Sequence, residues 1–135
     1  MRAKKSAIAG LLLLIAPPAL AQERACQPPL EPMLRVELYF GRHIDGGRTV
    51  SERDWTQFLT HELTPRFPGL TVIDARGAWK HGAHQVRERT KLVVIVLPDG
   101  SAGAGEIVAV VEAYKARFHQ RSVGIVTQPV CASFG

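Results

Sequence analysis

A glutamate on the apolar side of a helix is the place where this chain could carry out acid or base chemistry. Downstream of Ser51, the residues Trp55, Phe58, Leu59 and Leu63 recur at helical spacing. At about 100° per residue Glu62 falls within about 20° of Trp55, inside that stripe. A carboxylate so placed loses water, and at the C-terminal end of the helix the dipole opposes its charge, so it needs a cation or a proton. Arg66, one turn later, is the nearest cation. Two roles follow. The favoured one is a structural ion pair that pins the Thr64-Pro65 turn. The other is a general acid or base in a pocket between sheet and helix, with Arg66, Tyr39 or Arg42 orienting a substrate. Perturbed carboxylates serve in both settings, so no catalytic residue is assigned.

Other chemistry is weaker. The chain has no G-x-S-x-G, H-E-x-x-H or C-x-x-C motif, and the Gly100 to Gly105 loop lacks the Gly-Lys-Ser/Thr of a phosphate loop. His81 and His84 stand three apart in a turn with no third ligand nearby, so no metal site is expected, and no cofactor. Arg87, Arg89 and Lys91 alternate onto one strand face, with Glu88 and Thr90 on the other; three like charges there meet solvent or hold an anion. Arg42 and His43 close the first strand. With strands 1 and 3 taken as parallel, they lie near the loop after Leu97.

These residues need elements to hold them, and the organising one is Leu92 to Leu97, six consecutive apolar residues stopped by Pro98-Asp99-Gly100. So short a run with no alternation reads as a central strand covered on both faces. Met33 to Arg42 alternates, with Leu34, Val36, Leu38 and Phe40 on one side, which predicts a half-buried strand. Ser51-x-x-Asp54 predicts a helix start, and the helix should end before Pro65. Leu70 to Asp74 is a strand that runs on to Trp79 with a bulge at Gly77. Ile107, Val110, Val111, Tyr114 and Phe118 form one helical stripe, and Ser122 to Thr127 is a last strand with Val123 and Ile125 inward. The order is βαββαβ. It predicts an α+β, ferredoxin-like domain: a four-stranded antiparallel sheet in the order 4-1-3-2 with two helices on one face.

The amino end predicts export. Met1 to Ser6 is cationic, Ala7 to Ala16 is apolar but too short to span a membrane, and Ala19-Leu20-Ala21 is a small-x-small cleavage site. Residues 1–21 are therefore expected to be a cleaved signal peptide, 22–32 an N-terminal extension and 33–135 a single domain, periplasmic or secreted, with no membrane segment after cleavage. Removing 21 of 135 residues leaves 114, enough for one core. The leader also takes three of the 17 basic residues, so 14 face 12 acidic ones, too mild an excess to imply nucleic acid. In an exported chain Cys26 and Cys131 are expected to bridge. Strand 4 beside strand 1 brings them together, and a loop of 105 residues makes the bridge worth at most roughly 4 to 5 kcal/mol.

Helices on one face leave the other face of an apolar strand bare, with Tyr39 on it. Such a face marks an interface: a homodimer packed sheet to sheet, as in dimeric α+β barrels, unless Pro28-Pro29-Leu30 and Ala132-Ser133-Phe134 fold over it. Leu38 to Arg42, Thr64 to Val72 with Asp74, Gly77 and Trp79, Glu88 to Lys91, Tyr114-Lys115 and Pro129-Val130-Cys131 resemble the small exported bacterial proteins of the domain of unknown function 3574 family. That resemblance implies an exported single domain without an established activity, and brings no catalytic residues. The expected function is a non-enzymatic binding or interaction module using the uncovered sheet face, with an unknown small molecule or protein as partner. The alternative is a small cofactor-independent enzyme built around Glu62.

Overall fold

The computed structural model describes residues 25–98 and 103–135. The segment read as a signal peptide lies outside these residues. Among them no helix is long and apolar enough to cross a membrane.

The alternation at the start of the domain produces β1 (Glu31–Gly41), whose Val36, Leu38 and Phe40 are fully buried. A two-residue strand β2 (His43–Ile44) turns through Gly46 and Gly47, both at positive φ, to β3 (Arg48–Thr49). Helix α1 (Glu52–Phe58) starts as expected: the Ser51 hydroxyl accepts from the Asp54 amide at 3.1 Å and donates to the Asp54 carboxylate at 2.7 Å. Pro65 has no N–H to continue a regular helix. The chain leaves α1 through one wide turn over Leu59–Leu63, in which the Thr64 amide reaches back five residues to the Leu59 carbonyl.

The strands that follow are longer than the sequence predicts. β4 (Thr71–His81) and β5 (His84–Pro98) form a continuous hairpin, closed at Gly82, whose φ is +60°. Their register runs unbroken from Thr71 opposite Val94 to His81 opposite His84, so the expected bulge at Gly77 is absent. The charged residues 87–91 belong to the strand rather than leading into it. Pairing with β4 along the whole stretch, and with β1 from Thr90 onward, supplies backbone partners there, which lets a polar sequence stay extended. Helix α2 (Gly103–Phe118) buries all five residues of its predicted stripe. β6 (Gly124–Ala132) begins and ends later than predicted, and as an edge strand it leaves Ile125 exposed although that residue pairs with buried Leu38.

The sheet is four-stranded and antiparallel, in the order β4-β5-β1-β6. Both helices lay their apolar stripes on the Phe40 face. The Phe40 ring meets Trp55, Phe58 and Tyr114 at centroid distances of 5.4, 5.8 and 4.7 Å. Tyr114, fully buried, donates its hydroxyl to the Gly41 carbonyl at 2.8 Å and so ties α2 to the end of β1. β1 pairs with β5 antiparallel, Leu34 opposite Leu97 and Gly41 opposite Thr90. The parallel relation assumed above is therefore wrong, and Arg42 lies beside Arg89 rather than near the loop after Leu97. The alternating directions of this sheet require it.

Cys26 and Cys131 form a disulfide with Cα atoms 5.5 Å apart. β6 pairs with β1 from Glu31 opposite Ala132, which brings the two cysteines to one edge. The bridge is consistent with an oxidising compartment.

Candidate functional site

The four candidate residues fall in three places. Glu62 and Arg66 do pair, Oε2 to NH1, at 2.8 Å. The arginine also reaches Glu106 of α2 at 3.2 Å, so it clamps the end of α1 to the start of α2. Glu62 is half-buried, its side chain 30% exposed, rather than mostly buried. The wide turn explains this, because an extra residue per turn rotates Glu62 away from Trp55 toward the rim of the stripe. The space between α1 and the sheet is filled by Phe40, Trp55 and Phe58.

Arg42 lies at the other end of α1, on the helix side of the sheet. It is 4% exposed, donates from Nε and NH2 to the Val50 carbonyl at 2.8 and 2.6 Å, and pairs with Glu52. Lys91, two residues along β5 from Arg89, is as deeply buried and is held by Glu52 at 2.8 Å and by Asp74 across the β4 ladder. Burial works against the Lys91 charge, but the hydrogen bonds to Asp74 and Glu52 outweigh it and hold its pKa above the ordinary lysine value. The Glu52 carboxyl is held below the usual carboxylate range by its hydrogen bonds to Lys91 and then Arg42. Of the three cations expected to act together, Arg87 and Arg89 are exposed, whereas Lys91 is buried in this network.

Tyr39 is on the opposite, uncovered face, and a cavity lies there too. The cavity, about 430 Å3, opens at the end of that face. Its floor lacks side chains at three places because Gly77, Gly41 and Gly124 fall on β4, β1 and β6 around Glu88 and Thr90 of β5. Tyr39 and Trp79, 38% and 56% exposed, border it. The Tyr39 hydroxyl donates to Glu37 at 2.6 Å, and this bond raises the tyrosine pKa and lowers that of the carboxyl.

Glu88 lies on the cavity floor, flat against the β1 backbone. A Cβ at position 41 would collide with its carboxylate and push it aside, so glycine is what lets the side chain lie this close to the backbone. The His43 amide donates to Glu88 Oε1 at 2.9 Å. Among the described residues no cation pairs with Glu88. The remaining wall comes from the end of α2. His119 takes a left-handed conformation, φ 52°, and the Gln120 amide closes back on the Lys115 carbonyl at 3.1 Å. Gln120 and Arg121 then reach across to the His43 carbonyl and Asp45, at 2.7 and 3.1 Å.

Sequence reasoning passed over Glu88, Trp79 and the three glycines. The signal was partly present, since alternation places Glu88 and Thr90 opposite Arg87, Arg89 and Lys91. With antiparallel strands it also places Gly41 beside Thr90.

No curated protein matches the chain. Among solved structures, a phage SAM lyase in complex with S-methyl-5′-thioadenosine superposes with a TM-score of 0.57 at 16% identity, covering 74% of this chain and 90% of the lyase. The same comparison with phage SAM lyase in the apo state gives 0.56 at 16% identity, covering 74% and 84%. At that identity the likeness concerns the fold alone. The family model for proteins of unknown function designated DUF3574 matches residues 35–134. That span holds both helices, the hairpin and both candidate sites, and the chain belongs to the DUF3574 family.

Proposed function

We propose that this protein is an exported, non-enzymatic binding or interaction module whose working surface is the uncovered sheet face. One observation carries the reading. Ile73, Val126, Tyr39 and Trp79 stand exposed on one face of a sheet whose other face carries the buried core under the two helices. Neither end of the described chain covers them, since Leu30 and Phe134 are themselves exposed. Half-buried Leu92, Val94 and Val96 continue the same apolar surface along β5. A face of this kind on a small domain is kept for a partner. The element order and the sheet order β4-β5-β1-β6 support a ferredoxin-like arrangement, in which a second copy packs sheet to sheet. The enzyme alternative has less support, because Glu62 is tied to Arg66 and aromatic rings fill the space between α1 and the sheet.

The test is light scattering of the exported protein at micromolar concentration. A dimer is expected, and Val126→Arg, a change on an exposed edge-strand position, should return it to monomer without unfolding it. A monomeric wild type would refute self-association through this face.

A further inference from the structure

We propose that the cavity at the end of the uncovered face binds an organic cation with a planar, apolar body, of the amidinium or guanidinium class, and that Glu88 is its counter-charge. The proposal rests on the reading that this face is the working surface, and it adds the kind of molecule that the cavity accepts.

The floor supplies the charge. Glu88 is partly buried, and its carboxylate is fixed by the His43 amide and by the close approach to Gly41. One amide donor leaves most of the acceptor capacity of a carboxylate unused. Arg121, the arginine at the cavity, is engaged with Asp45 rather than with Glu88. A half-desolvated carboxylate held in place without a cation favours a ligand that brings one.

The walls supply the shape. Tyr39 and Trp79 line the same cavity with aromatic surface open, and aromatic faces attract cations as well as flat apolar groups. Glu88 takes up the room over Gly41 and Tyr39 the room over Gly124, while Gly77 leaves the floor open, so a planar group can lie against backbone there. Nothing within 4 Å but the Thr90 hydroxyl, at 3.7 Å, would meet a Cβ at Gly77. A volume of about 430 Å3 is within the range of small-ligand sites.

The experiment titrates the exported protein with benzamidine, and with neutral benzamide and anionic benzoate as matched shapes. Binding is followed by calorimetry and by amide NMR shifts. Benzamidine should bind about tenfold or more tightly than either analogue, the ratio expected for a charge-assisted hydrogen bond in a partly desolvated site. The shifts should concentrate at Gly41, Gly77 and Gly124. Glu88→Gln, close in shape, should abolish the preference for benzamidine over benzamide while the thermal melt stays unchanged. Gly41→Ala should weaken benzamidine binding by displacing the carboxylate. Equal binding of benzamidine and benzamide, no benzamidine binding at millimolar concentration, or a preference that survives Glu88→Gln would each overturn the proposal. The light-scattering result is independent of these outcomes, so failure of the cation site and failure of the sheet-face reading are told apart.

Discussion

The two ends of the molecule's charge lie on opposite faces of β5 and are handled in opposite ways. On the helix side, Lys91 and Arg42 are buried and share the Glu52 carboxylate, with Asp74 as a second partner of Lys91. On the uncovered side, Glu88 and Thr90 face a cavity, and the glutamate has an amide donor but no cation. The first arrangement satisfies its charges within the chain, as a structural network must where removal of one partner leaves a buried ion uncompensated. The second leaves an acceptor for something outside the chain. Adjacent residues of one strand thus divide between holding the fold and presenting a site, because alternation sends them to different environments.

That contrast can be broken from the structural side first. Arg42→Ala should have the largest effect, a loss of about 3 kcal/mol in urea denaturation, since it strips the Val50 carbonyl of two donors and Glu52 of one partner. Benzamidine binding should persist in whatever fraction stays folded. A loss below about 0.5 kcal/mol would mean that the network is not structural.

Glu52→Gln comes next, at about 1 to 2 kcal/mol at neutral pH, a figure reduced because the Glu52 side chain is largely exposed. Its pH dependence gives a sharper check. The folded-state pKa of Glu52 is depressed, so its contribution is present above the unfolded value of about 4.3 and is lost as pH falls through the folded value. The stability difference between wild type and Glu52→Gln should therefore be flat above about pH 5 and shrink in acid. A difference that does not change with pH would show that the carboxylate charge is not what matters.

Glu62→Gln should cost about 1 kcal/mol, near the lower end for such a pair, because both partners are about 30% exposed and Arg66 keeps Glu106. Unchanged or higher stability would instead support a functional acid. The smallest expected change has the opposite sign. His119→Gly should raise stability by about 0.5 to 1 kcal/mol by relieving the left-handed backbone. A destabilised variant would make the imidazole a structural member of the cavity wall.

Local pattern alone determined much of this domain. Alternation found the buried face of β1, the 3.6-residue period found the whole core stripe of α2, and Ser51 with Asp54 marked the start of α1. The element order brought Cys26 to Cys131. What local pattern missed depends on neighbours distant in the chain. Arg87 to Lys91 reads as a solvated approach to a strand, yet it is strand because β4 pairs with it throughout and β1 from Thr90 onward, and Lys91 is buried because Glu52 and Asp74 arrive to hold it. Glu62 sat inside an ideal helical stripe, and one wide turn before Pro65 moved it to the rim. The cavity is the extreme case. Gly41, Gly77 and Gly124 are unrelated in sequence, and only the register of four strands places them around Glu88. A concavity is made of missing side chains on different strands, so no periodicity along the chain can announce it.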